Sequence, residues 1–195
     1  MVATLGYGTT GVSVGQRVLG LADWHRDGTL AEYVAIEARN LAPLPGDVDF
    51  TVGASLPISG LTAWQGLFDH GHLRAGQSVL AHGAAGAVGS MVTQLAREAG
   101  AYVIGGDIQK RSAALIRARG TLVSVVGPTE ARPADGLAID FVVESDRAQL
   151  GEVVQRVRDG RLGTNIGNVA ILDDAVAALN PTERRKGKTI ISVRP

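Results

Sequence analysis

The chain has 195 residues, 19 Lys+Arg against 19 Asp+Glu, and no cysteine. The lack of thiols excludes a disulfide framework, a thiolate zinc site and a cysteine nucleophile. Balanced charge with no basic block argues against a dedicated nucleic-acid binder, and a hydrophobic share of 45% is that of a folded chain.

The first residues lack the charged-then-apolar layout of a signal peptide, so the cytoplasm is the expected location. Two stretches, 50–68 and 75–96, carry no Asp, Glu, Lys or Arg. Gly, Ser, Thr and Gln interrupt both, and Pro57 the first, so they read as buried structure and no membrane partner is expected. Residues 1 to about 45 read as short strands: one over 15–21, a second over 28–36, and an extended piece over 41–45. Asp49 is a plausible cap for a helical turn over 50–55. After Pro57, the residues Ile58, Leu61, Trp64, Gln65 and Phe68 carry a helical period that Gly71 and Gly76 close.

The centre is the most informative part. Ser78–His82 is a short apolar strand, the run Gly83 to Gly89 comes at once after it, and a helix extends to about Ala99 with Val88, Met91, Val92, Leu95 and Ala96 at helical spacing. Residues 101–105 read as the next strand. A strand, glycine turn, helix and strand in succession build a parallel sheet. Further on, 108–118 reads as a helix, 121–127 and 138–143 as strands, 147–158 as an amphipathic helix, 164–172 as a strand, 173–179 as a short helix and 188–193 as a closing strand.

The glycine spacing Gly83-x-x-Gly86-x-x-Gly89 has a physical purpose. A helix N-terminus offers free N–H groups and partial positive charge, and residues without bulky side chains let a pyrophosphate reach the backbone. The same turn also serves tight strand–helix packing alone. Asp107 lies 24 positions after Gly83, which on spacing alone suits a ribose hydroxyl. His70-x-His72 is the only close histidine pair; without further ligands it reads as solvated, and no metal site is expected. His82 reads as structural or near a cofactor. The loop 23–27 is an exposed hairpin loop or an entrance lid, and the basic run 183–188 a solvated turn or a phosphate attractor. Ser90 and Ser124 lack a base at a diagnostic spacing, so serine hydrolysis is not supported.

Two runs, Leu56-Pro57-Ile58-Ser59-Gly60-Leu61-Thr62-Ala63-Trp64 and Gly76-Gln77-Ser78-Val79-Leu80-Ala81-His82-Gly83-Ala84-Ala85-Gly86-Ala87-Val88-Gly89, resemble the zinc-free medium-chain dehydrogenase/reductases. The branch they are most like is the quinone oxidoreductases related to zeta-crystallin. Residues 15–20, 31–34, 120–124 and 187–191 match in the family's order. The resemblance implies an α/β fold: a Rossmann-type parallel sheet, here shortened, with part of a GroES-like β domain. It divides the chain into a partial GroES-like region over 1–50, a nucleotide-binding domain over 51–160, and a segment over 161–195 returning to the GroES-like region.

It also implies an NADPH-dependent, zinc-independent oxidoreductase that passes hydride to a quinone or an activated double bond. NADP(H) is the expected cofactor, with NAD(H) open. The backbone of Gly83, Ala84, Ala85, Gly86, Ala87, Val88 and Gly89 would hold the pyrophosphate. Thr62 would sit near the nicotinamide or phosphates, and Gly127, Phe141, Val142 and Val143 would line the nicotinamide pocket. No residue is assigned as a catalytic acid.

Departures from the family are part of the expectation. Family members are longer, and the chain opens where the GroES-like domain is already advanced. Residues 101–104 look like the family's second sheet strand, whereas Gly105-Gly106-Asp107 and the helix after it look like the segment that normally succeeds the fourth strand. About two strands and two helices are missing between them, so Asp107 does not hold the ribose position. The first, fifth and sixth family strands are expected to pair side by side and leave one edge bare, which invites a homo-oligomer, a dimer or a swapped assembly. The alternative reading is an inactive, truncated relative that binds a nucleotide or serves as an interaction module. A third reading, a repurposed fold running cofactor-free biosynthetic chemistry, has no residue that points to it.

Overall fold

Strand, turn and helix fall where the sequence places them between Ser78 and Gly106. A computed structural model describes residues 1–26, 28–106, 115–127, 132–182 and 186–193. They form two compact units, Ser59–Glu144 in one and Met1–Ile58 with Ser145–Pro195 in the other.

In the unit Ser59–Glu144, β3 (Ser78–His82) pairs in parallel with β4 (Tyr102–Gly106), from Ser78 opposite Tyr102 to His82 opposite Gly106. The crossover between them is α3 (Ala87–Glu98), which packs on both strands and buries Met91, Leu95 and Ala96. Its end is closed by Gly100 at φ +76: Gly100 N–H donates to Arg97 O and Ala101 N–H to Ala96 O, a paired capping that only a residue tolerant of the left-handed region adopts readily. A second parallel ladder joins β5 (Gly120–Ser124) to β6 (Gly136–Asp140). Ahead of both ladders runs α2 (Pro57–Trp64), opening on a proline that suits a first helical turn. It passes into a π-helical turn, Gln65–His70, in which Gly71 N–H reaches back five residues to Gly66 O.

In the other unit, β1 (Val18–Gly20) and β2 (Leu41–Pro43) form an antiparallel pair. The helix α1 (Phe50–Ser55) is capped by Asp49, which accepts from Thr51 N–H at 2.7 Å, and the Arg17 guanidinium lies 3.9 Å over the Phe50 ring. The helix α4 (Arg147–Arg158), capped by Asp146, packs on β2 and buries Leu150, Val153 and Val154. The strands β7 (Ile166–Ile171) and β8 (Lys188–Ser192) run parallel, joined through α5 (Ala175–Leu179).

Several expectations are corrected. Residues 28–36 form no strand, because their alternation is not matched by a pairing partner. The helix expected to run from Ile58 to Phe68 changes to π geometry at Gln65. The strand expected over 138–143 ends at Asp140, leaving Phe141, Val142 and Val143 beyond the ladder. The sheet is not continuous. Among the described residues β3 pairs with β4 and β5 with β6, and no ladder joins β3 to β5. Each strand takes as partner the next strand in the chain, the usual preference of short connections. Asp107, most of the expected helix 108–118, Asp27 of the loop 23–27 and residues 183–185 of the basic run lie outside the described residues.

Candidate functional site

The glycine turn begins at the C-terminal end of β3. Gly83 takes φ +62, a region unfavourable for side chains, and its carbonyl accepts from Gly86 N–H at 2.8 Å. Gly86 is the N-cap of α3, extended at φ −78 and ψ 175, and no side chain caps the helix. The first amides of α3 are therefore left to an external acceptor. Gly89 is required for a different reason. A Cβ there would fall 2.7 Å from Gly83 C and 2.8 Å from Ala84 Cα, and closer still to Gly83 O. The turn folds back onto the helix at that point.

Gly83, Ala85, Gly86 and Ala87 are exposed, Ala84 and Val88 half-buried, and Gly89 buried. No residue of the run is larger than valine. A Cβ on Gly83 would meet no described atom within 4 Å, so the turn is open at that position. These features fit a pyrophosphate. The end of β4 lies close by: a Cβ on Gly105 would stand 3.1 Å from that of Ala84. Gly105, beside the turn, offers no side chain to a ligand there.

The remaining predicted residues gather on the other ladder. Ser124, the last residue of β5, is buried, and its Oγ donates to Gly127 O at 2.6 Å. Gly127 adopts φ +104. Phe141 N–H donates to Ser124 O at 3.2 Å, so Gly127 and Phe141 are tied through one serine. Val142 is 69% exposed, whereas Val143 is buried. The Phe141 ring lies 4.4 Å from that of His70. His70 is therefore a packing partner in the π-helical turn, and His72, at φ +47, is exposed. Among the described residues no group of three or more His, Asp or Glu is placed to hold a metal. Thr62 is buried on α2. The glycine turn and the Gly127–Phe141 group stand on separate ladders.

The sequence pattern gives no hint of what Gln65 does. Its buried side-chain amide donates from Nε2 to Glu144 O at 2.9 Å and accepts at Oε1 from Glu144 N–H at 3.0 Å. An uncharged polar residue within an apolar helical run is the available signal. Its partner lies 79 positions away, which periodicity does not report.

The chain is 36% identical over 181 residues to the spectinabilin polyketide synthase system protein NorB of Streptomyces orinoci, covering 90% of this chain and 8% of NorB. It is 37% identical over 105 residues to the quinone oxidoreductase of Rattus norvegicus, covering 54% of this chain and 31% of that protein. The curated relatives and structural neighbours of the chain are quinone oxidoreductases, polyketide synthase proteins and members of the alcohol dehydrogenase superfamily. Among solved structures, the quinone oxidoreductase of Coxiella burnetii superimposes with a TM-score of 0.87 at 25% identity, over 97% of this chain and 76% of that one. No protein-family model matches the chain. The chain spans less than a third of either curated relative.

Proposed function

We propose that the chain carries the nucleotide-binding core of an NADPH-dependent reductase acting on an activated carbon–carbon double bond or a quinone. The observation that carries the reading is the open turn between β3 and α3, built of small residues, with no side-chain cap on the helix and Gly83 at φ +62. The likeness to quinone oxidoreductases supports the same reading. Bound NADPH supplies a hydride from its nicotinamide ring. The chain's own residues bind and orient. The amides of Gly83 to Gly89 receive the pyrophosphate at the positive end of α3. Thr62, Gly127 and Phe141 to Val143 surround the nicotinamide, with the apolar side chains of Val142 and Val143 keeping water from the reacting carbon.

NADP(H) is the proposed cofactor, with NAD(H) open. The chemistry uses no thiolate-bound zinc, since the chain has no cysteine. The match to NorB along 90% of the chain favours an α,β-unsaturated acyl thioester as acceptor over a free quinone. The Gly83–Gly89 and Gly127–Val143 groups together constitute the nucleotide-binding domain proposed over 51–160, flanked by GroES-like residues 1–50 and 161–195. The working location is the cytoplasm, and no helix of the described residues is long and apolar enough to cross a membrane. Among the described residues each ladder has only two strands, and edges left open in this way support a homo-oligomer.

Titration of the protein with NADPH, monitored by nucleotide fluorescence, tests the binding step. Consumption of NADPH with a crotonyl thioester and with a panel of quinones tests the reaction. Absence of binding at hundreds of micromolar removes the proposal. Binding without turnover selects the second reading, an inactive nucleotide-binding relative.

A further inference from the structure

Phe141 to Glu144 lies just past the C-terminal end of β6, the position where open α/β sheets place their ligands. Past the last ladder pair, Phe141 N–H still donates to Ser124 O at 3.2 Å. Two contacts from one short element also hold the stretch. At one end the ring of His70 covers that of Phe141 at 4.4 Å. At the other, Gln65 meets the backbone of Glu144 with both halves of its amide, a donor at 2.9 Å and an acceptor at 3.0 Å, as a neighbouring strand would. Gln65 and His70 are the first and last residues of the π-helical turn. Gln65 is 5% exposed, while Val142, between the two anchors, is 69% exposed. A π-helical turn is a poorer hydrogen-bonding arrangement than the α-helix it interrupts, and such turns cluster at functional sites. The wider turn sets the anchors at the two ends of one four-residue bracket.

We propose that the π-helical turn Gln65–His70 is a positioning device, with Gln65 its principal positioning residue. It pins Phe141 and Glu144 so that Val142 is presented to the nicotinamide ring of the bound cofactor. This inference rests on the nicotinamide-binding reading above. Gln65 touches no cofactor. It acts through the backbone of Glu144.

The test uses the full chain and two variants, Gln65→Met and Gln65→Glu. The first replaces the amide by an apolar side chain of similar length. The second keeps an acceptor for Glu144 N–H but, when ionised, turns a carboxylate oxygen toward Glu144 O. Protonation restores a donor, so the second variant is rescued by acid. Asp69 and His70 on the turn, Asp140 at the end of β6 and the Glu144 carboxylate also titrate in this region, and the parent chain measured over the same pH range accounts for them.

Three readouts are taken: hydrogen exchange at the Glu144 amide in the free protein, NADPH affinity, and KM for NADPH against kcat. The expected result for Gln65→Met is Glu144 exchange faster by roughly tenfold or more, the order of two lost neutral hydrogen bonds. NADPH affinity weakens and KM rises more than kcat falls, while exchange in α3 is unchanged. Gln65→Glu behaves alike at neutral pH and recovers affinity as the pH is lowered, which the parent does not. Faster exchange at Glu144 with NADPH affinity within twofold of the parent at every pH overturns the proposal and leaves Gln65 a purely structural residue. Unchanged exchange overturns the clamp itself. Failure of the parent chain to bind NADPH, with the exchange result as expected, removes the cofactor reading separately from the clamp.

Discussion

Gly89→Ala is the substitution that most directly tests the geometry of the turn. A Cβ at residue 89 would stand 2.7 Å from Gly83 C and 2.8 Å from Ala84 Cα, and nearer still to Gly83 O. All three are backbone atoms, so no flexible side-chain end can swing away. Ordinary contact begins near 3.4 Å and the approach to Gly83 O is the closest, so the turn must retreat from α3 by roughly 1.3 Å, a large displacement for a close-packed interior. Overpacking of this kind costs about 1–3 kcal/mol. For a chain of this size each kcal/mol lowers Tm by roughly 2–4 °C. The expected outcome is a Tm lower by several degrees in thermal unfolding monitored by circular dichroism, with NADPH affinity reduced because the amides no longer converge. Gly83→Ala serves as a comparison. Its Cβ meets nothing within 4 Å, but φ +62 imposes a left-handed cost of about 1–2 kcal/mol. A Gly89→Ala protein that melts with the parent and binds NADPH equally well would refute the geometry from which the site is argued.

Three other substitutions have outcomes fixed by the same structure. Gly86→Ala has φ −78, and its Cβ would lie 3.2 Å from Gly83 O, a contact that a small shift relieves; Tm should hold within a degree or two, while calorimetric titration shows weaker NADPH binding, because the methyl group occupies the open face of the turn. Asp49→Ala should lower Tm at neutral pH. Hydrogen bonds from the Thr51 hydroxyl and amide hold the Asp49 carboxyl below its ordinary 3.8; a group depressed on folding stabilises above its unfolded pKa and loses that contribution as pH falls through the folded one, so the difference between parent and variant should vanish in acid melts. Lys188 is shifted in the same direction, but there the shift reflects a penalty on the charged form. Burial holds its ammonium group below the ordinary 10.5, although Nζ donates to Ser55 O at 2.6 Å. The unfolded chain then binds the proton more tightly, so stability rises with pH through the interval below 10.5, and Lys188→Met should abolish this group's share of that rise in urea titrations at a series of pH values.

The fold is legible wherever one segment decides its own structure. Ser78–His82, the glycine run and Ala87–Glu98 form the strand, turn and helix their pattern specifies, and the helix stops at Gly100, where only a permissive residue closes the cap. Arg147–Arg158 keeps to its apolar stripe from a capping Asp146. Failures occur where pairing or packing at a distance decides. Residues 28–36 alternate as a strand does and remain irregular, because alternation describes a surface and not the neighbour that must hydrogen-bond to it. Residues 138–143 carry β-branched and aromatic side chains beyond the last residue that β5 can pair, so the strand ends at Asp140.

The same distinction governs the site. The half proposed to receive a pyrophosphate is a local object: seven consecutive residues no larger than valine, running from the end of β3 into α3, in which Gly83 supplies the left-handed bend and Gly89 the close approach. The proposed chemistry can be read from spacing because it would use backbone amides. The other half is assembled from Ser124, Gly127, Gln65, His70, Phe141 and Glu144, and its decisive bonds run between side chain and backbone across 79 positions. A glutamine is uninformative about which peptide it will meet. What singles Gln65 out is burial. An amide with 5% exposure in an apolar helix must find partners or forfeit its hydration, and Gln65 finds both of them on one residue, the N–H and C=O of Glu144 just past the end of β6.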